Sequence, residues 1–143
     1  MSYQDVKDRL YRGHRKIANN TYLELRLLDI ASVEEGWTKE EFIDMRLHGN
    51  LVARFYPDHL KLFSAGWYTT TTKARLNLAL ELANVNTNIH IDDREPDWIK
   101  KRLKWMKICQ VGYQWYYGSY HKGDTKFTEG MCINYNGKVI GGK

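Results

Sequence analysis

The 143-residue sequence contains two cysteines and two prolines, and no apolar run approaches the roughly 18 residues that a membrane-crossing helix needs. Cys109 and Cys132 lack a CxxC spacing. That excludes a disulfide framework and a four-ligand zinc site, and predicts two reduced, partly buried thiols. His14, His48, His59, His90 and His121 are scattered, with no HxH, HExxH or H…CxxC pattern, so neither a metal nor a cofactor is expected. GxSxG, Walker A and GxGxxG are also missing, and an enzyme would have to assemble its site from dispersed residues. His90 beside Asp92 and Asp93 fits a general base or simply a surface strand end. A non-enzymatic protein is expected. Met1-Ser-Tyr-Gln-Asp-Val-Lys-Asp8 has neither an apolar core nor a small-residue cleavage site, so no signal peptide and a cytoplasmic location are expected.

What is present is a globular composition, 43% apolar and 13% aromatic, of a length that fits one domain. Formal net charge is +5, a surplus that favours an anionic partner, and it concentrates in the windows Arg9–Lys16 and Lys100–Lys107.

The periodicity predicts a single α+β domain, an antiparallel sheet with helices packed against it. Ser2 can cap a short first helix, followed by a basic loop over Arg12–Asn20. Thr21–Leu27 alternates as a half-buried strand. Thr38-Lys-Glu-Glu41 has the form of a capping box and predicts a helical turn. Met45 to Tyr56 alternates throughout and predicts one strand, which turns at Pro57-Asp-His59 into a returning strand at Leu60–Phe63. Helices are predicted over Lys73–Asn84 and Asp97–Lys107, with a brief strand at Ile89–Ile91 between them. Strands are predicted at Val111–Tyr117, Lys126–Thr128 and Met131–Tyr135, with Asn136-Gly137 as a hairpin turn.

Three clusters could carry function. In the Asp97–Lys107 helix, Lys100, Lys101, Arg102, Lys104 and Lys107 surround an apolar face, with Trp98 and Trp105 one heptad apart. This is either a solvated charged face over buried tryptophans or a phosphate-contacting surface with Trp105 as a stacking platform. The Tyr113–Lys122 segment sends Tyr113, Trp115 and Tyr117 to one side, leaving Tyr116, Tyr120, His121 and Lys122 to pack a hairpin or to meet a nucleic acid or protein. Thr69 to Thr72 lie between Gly66-Trp67 and the helix. One of them, Thr71 or Thr72, can cap it, and with Lys73 and Arg75 they form either a strand-to-helix junction or an anion-binding corner for a phosphate or small nucleotide. No base stands near them, which argues against a catalytic threonine.

Lys16-Ile-Ala-Asn-Asn-Thr-Tyr-Leu23, Arg46-Leu-His-Gly-Asn-Leu-Val52, Phe55-Tyr-Pro-Asp58 and Gly66-Trp-Tyr-Thr-Thr-Thr-Thr-Lys-Ala-Arg-Leu-Asn77 occur in this order, followed by Gly112-Tyr-Gln-Trp-Tyr116 and Glu129-Gly-Met131. In these pieces the chain resembles a widespread group of small bacteriophage proteins to which no catalytic role is attached. It departs from their pattern in an insertion at Asp29–Asp44 and in the long basic segment before the Trp-Tyr strand. The resemblance implies a phage protein of the host-cell cytoplasm with a compact mixed fold, acting by binding. The expected partner is nucleic acid or a host ribonucleoprotein or defence complex, with anti-CRISPR-like inhibition as the purpose. A protein–protein inhibitor using the basic helix alone is the alternative.

Overall fold

The computed structural model describes residues 3–10, 12–32, 36–83, 85, 94, 96, 106–118 and 125–141. A short helix, α1 (Tyr3–Lys7), precedes five strands: β1 (His14–Ala18), β2 (Thr21–Ser32), β3 (Gly36–Leu47), β4 (Asn50–Phe55) and β5 (His59–Leu62). Helix α2 (Thr70–Leu82) follows, then β6 (Lys107–Val111), β7 (Gln114–Gly118), β8 (Thr125–Lys126), β9 (Met131–Asn134) and β10 (Val139–Gly141). The expected α+β architecture is present. One antiparallel sheet runs β1-β2-β3-β4-β5-β9-β10, and β6-β7-β8 form a second.

Alternation divides the large sheet into two faces. Leu23, Met45, Ala53, Leu62 and Met131 stand in register across five strands, as do Leu25, Ile43, Phe55, Leu60 and Ile133. Both rows belong to the core with Leu76, Ala79 and Leu80 of α2, Ile108 of β6, and Trp115 and Tyr117 of β7. The second sheet therefore closes the core from beyond the helix, and α2 is shared between the two sheets.

Several expected elements are replaced. Arg12–Asn20 is not a loop: residues 14–18 form the edge strand β1, started by left-handed Arg12 and Gly13, and its exposed side chains carry no alternation signal. Thr38–Glu41 does not start a helical turn, because β3 pairs with β2 residue for residue from Thr21↔Leu47 to Ser32↔Gly36. Cross-strand hydrogen bonds along twelve residues outweigh one local cap. Met45–Tyr56 is not a single strand but a hairpin about His48-Gly49, whose φ of 52° and 81° are those of a type I′ turn. Val111–Tyr117 likewise folds about Gly112, leaving Tyr113 fully exposed at the turn while Trp115 and Tyr117 are buried. Lys107 begins a strand instead of ending a helix. The cap of α2 is Thr69, neither Thr71 nor Thr72, and its side chain accepts from the Thr72 amide at 3.2 Å. The rest of the Asp97–Lys107 helix, apart from Met106, and the Ile89–Ile91 strand lie outside the described residues.

The Pro57 turn, the returning strand and the Asn136-Gly137 turn occur as expected. Tyr135 Oη donates to the Tyr56 and His59 carbonyls and closes the first of them, while Asn134 Oδ1 accepts from the Asn136 and Lys138 amides in the second.

Two polar anchors hold β3, one to β4 and the other to α1. Asp44, 1% exposed, accepts from Arg54 Nε at 2.7 Å and from Arg54 and Arg46 guanidinium nitrogens at 3.3 Å, which raises the Arg54 pKa. Removing this carboxylate strands two half-buried guanidinium groups. Asp44→Ala is expected to cost about 3 kcal/mol, measured by urea denaturation, and Asp44→Asn less. At the other anchor, Glu41 accepts from Tyr3 Oη at 2.7 Å and Lys7 Nζ at 2.9 Å. The Tyr3 bond, then the Lys7 bond, holds the Glu41 carboxyl below its ordinary 4.5. A depressed carboxyl stabilises the fold fully above the unfolded value and ceases to do so as pH falls through the folded one. The stability gap between wild type and Glu41→Gln is expected to be constant above about pH 5 and to close on acidification below 4.5, read from urea midpoints across that range.

Candidate functional site

Three left-handed turns and the start of α2 meet at one end of the large sheet. Asn20, at φ 53°, turns β1 into β2, and its carbonyl accepts from the His48 amide at 2.8 Å. His48-Gly49 turns β3 into β4. Ala65 and Gly66, at φ 56° and 82°, form a third tight turn closed by Trp67 N–H to Ser64 C=O at 3.0 Å. The second and third of these turns and the start of α2 border a cavity of about 390 Å³ lined by Leu47, His48, Asn50, Val52 and Trp67, with Ser64, Ala65, Thr69, Thr71 and Thr72 completing the wall.

Each part is held by a specific bond. Buried Ser64 donates through its amide (2.8 Å) and hydroxyl (2.5 Å) to the Glu129 carboxylate, which also accepts from Tyr68 Oη at 3.2 Å. Glu129 thereby fixes the base of the Ala65-Gly66 turn from β9's leading turn. Arg75 Nε donates to Thr21 Oγ1 at 2.7 Å, tying α2 to the β1–β2 turn. Leu76 is fully buried. Asn77 accepts from the Ile108 amide at 2.7 Å and donates to the Ile108 carbonyl at 3.1 Å. Arg46 donates to the Gly49 carbonyl at 3.2 Å while contacting Asp44. The pieces Lys16–Leu23, Arg46–Val52, Gly66–Asn77 and Glu129–Met131 thus converge on one structural junction.

The structure distributes the expected anion corner rather than gathering it. Thr72 is buried and bonded to Thr69 Oγ1 at 3.1 Å, Thr71 lines the cavity, Lys73 is half-buried, and Arg75 is engaged with Thr21 and Asn19. Tyr116 is half-buried on β7, and Lys107 is exposed at the start of β6. Lys100, Lys101, Arg102, Lys104, Trp105, Tyr120 and Lys122 lie outside the described residues. Among the described residues no group of His, Cys, Asp or Glu is placed to hold a metal ion, and Cys109 and Cys132 form no disulfide. No helix is long and apolar enough to cross a membrane, again among the described residues.

Two features escaped the sequence reading. One is the cavity. Its signals were the dipeptides His48-Gly49 and Ala65-Gly66, since glycine after a polar or small residue, between apolar-periodic segments, marks a tight turn. The other is the sheet face turned away from the core. His14, Glu24, Asp44, Arg54, Lys61 and Cys132 form one row across six strands, flanked by Lys16, Tyr22 and Arg46 on one side and Arg26 and Phe42 on the other. Five cations meet three acids on this face, since Glu40, opposite Leu28, also stands on it. His14 stacks on Tyr22 at 5.6 Å, His59 on Tyr56 at 4.6 Å, and Arg54 lies 4.4 Å above Phe42.

The turn geometry gives a direct test. A Cβ on Gly66 would meet no atom within 4 Å, so only the backbone angle resists substitution. Gly66→Ala is expected to lower stability by about 1 kcal/mol, Gly66→Asn by less, and Ala65→Gly is expected to raise it. Differential scanning calorimetry checks all three, at about 3 °C of melting temperature per kcal/mol for this size.

No curated protein and no solved structure matches the chain. A family model described as Kyanoviridae Gp96 protein matches residues 15–134. That span runs from β1 to the end of β9 and includes the three turns, α2 and Glu129. The chain belongs to this bacteriophage protein family.

Proposed function

We propose that this protein is a non-enzymatic phage accessory protein that binds nucleic acid or a nucleoprotein complex, its purpose being anti-CRISPR-like inhibition of a host defence effector. The observation that carries the binding reading is the outward face of the large sheet, where Lys16, Arg26, Arg46, Arg54 and Lys61 outnumber Glu24, Glu40 and Asp44 around stacked Tyr22 and Tyr56 rings. Cations neutralise phosphates and release counterions, while flat exposed rings favour unpaired bases. The basic segment Lys100–Lys107 adds positive charge to the same chain. The defence-inhibition purpose rests on the phage family and on the resemblance to small phage proteins that act by binding.

Fluorescence anisotropy with labelled single-stranded and duplex oligonucleotides tests the binding. Affinity is expected to fall steeply with salt and to drop about tenfold in a Lys16→Glu/Lys61→Glu variant, with a smaller loss for Lys104→Glu/Lys107→Glu. Absence of binding to every oligonucleotide at low salt overturns the reading. If a host complex is captured equally before and after nuclease treatment, the same cations serve an acidic protein surface instead.

A further inference from the structure

Strand β1 ends the large sheet, and among the described residues no strand pairs with its outer edge. The Gly13 carbonyl accepts from the Leu25 amide at 2.7 Å. Antiparallel pairs alternate, so Arg15 turns its backbone groups toward Leu23, while His14 and Lys16 turn theirs to the open edge. Helix α2 lies alongside. Arg75 bonds it to Thr21 and Asn19 beyond the end of β1, and a cavity of about 270 Å³ lies between Leu78, Glu81 and Leu82, which share one face of the helix, and Arg15, Lys16 and Ile17 of the strand. Arg9 completes the wall. Leu82 is buried and Ile17 and Leu78 are half-buried, while Arg9, Arg15, Lys16 and Glu81 are exposed. The Arg15 guanidinium donates to the Arg9 carbonyl at 3.0 Å, and none of the three cations forms an ion pair with Glu81 or with any other described residue.

An open strand edge offers both donors and acceptors, and the group that matches both is another extended backbone. A phosphodiester chain has only acceptors. It would cover the His14 and Lys16 carbonyls without a donor and would bring a charge on every residue against the Glu81 carboxylate. A peptide carries its charges on separate side chains and can set an apolar or basic one beside Glu81. Alternate side chains of an added strand face α2, where Ile17, Leu78 and Leu82 take an apolar group. Arg9, Arg15 and Lys16 then favour acidic side chains at the remaining positions. We propose that the groove between β1 and α2 binds an acidic segment of a partner protein, added to the sheet as a further strand along His14–Ala18. This site is separate from the outward face: Arg15, paired with Leu23, stands on the core side of β1, and Lys16, paired with Tyr22, on the other.

The test selects binders of the immobilised full chain from a yeast-displayed library of short random peptides. The selected peptides are expected to be rich in Asp and Glu alternating with apolar residues, and to move the amide proton resonances of His14 and Lys16 in NMR titrations. Arg15→Glu is expected to weaken their binding about tenfold. Lys16→Pro removes an outward N–H and is expected to weaken it about tenfold relative to Lys16→Ala, which removes only the side chain. Thermal melting verifies that the variants fold; if Lys16→Pro melts early, Arg15→Glu and the two amide resonances decide. A selection that returns no peptide, or peptides without acidic side chains, overturns the inference. So does binding that is unchanged in Arg15→Glu, or resonance changes that spare β1. Oligothymidylate that moves the His14 and Lys16 amide resonances and displaces the peptides assigns the groove to nucleic acid and also overturns it. Because Arg15 faces away from the outward surface, Arg15→Glu leaves oligonucleotide binding there in place, so the peptide site and the nucleic-acid reading fail separately.

Discussion

Helix α2 carries little polar-to-apolar asymmetry beyond one buried stripe, yet it is the only described element that bonds to both sheets through consecutive side chains. Arg75 reaches the Thr21 hydroxyl in the large sheet, Leu76 enters the core, and Asn77 takes both backbone groups of Ile108 in the small one. Three neighbouring residues on one helical turn point in three directions, about 100° apart. A helix with that spacing can join two sheets whose own strands do not pair with each other. The position of the cavity follows from this joint, because the same helix begins at Thr69, directly against the turns that Arg75 helps to hold.

The charge layout follows from the sheet. One face is apolar because α2 and β6–β7 cover it, so Lys16, Arg26, Arg46, Arg54 and Lys61 gather on the other face. Asp44 lies beneath this face, where Arg46 and Arg54 satisfy its oxygens while Arg46 also donates to the Gly49 carbonyl. A buried acid bonded to both arginines fixes where their guanidinium groups sit on the sheet. The rings beneath and beside them, Phe42 and Tyr56, give the surface an aromatic component that composition alone could not locate.

Much of the fold was legible where side-chain periodicity and backbone agreed: the Thr21 strand, the Pro57 turn, the Leu60 strand and the helix expected at Lys73–Asn84, which begins earlier, at Thr70. The β3–β4 hairpin was hidden for a countable reason. A two-residue turn reverses the odd–even parity of the two arms, and the bulge between Met45 and Arg46 reverses it again. Odd-numbered Ile43, Met45, Ala53 and Phe55 therefore all face the core, and the alternation runs unbroken through a chain reversal. The β2–β3 ribbon was hidden by a different effect, since Thr38 and Glu41 satisfy a local helix-start pattern while the bonds that decide the structure come from residues up to 26 positions away, at Thr21↔Leu47. Of the candidate site, the threonine junction was visible. The cavity was not, because its walls come from the His48-Gly49 hairpin, the Ala65-Gly66 turn and the start of α2, and no local pattern encodes their meeting.

The β2–β3 ribbon extends past its neighbours: β1 pairs with β2 only as far as Glu24, and β4 with β3 only as far as Ile43. From Arg26 outward, and from Phe42 back to Gly36, both strands present backbone groups to which no described strand pairs, with Leu27 and Leu28 exposed on opposite faces. Such an edge is a template for adding another strand. Arg26, Lys39 and Glu40 stand along it, and charges on an exposed edge oppose its pairing with an identical edge less strongly as salt rises.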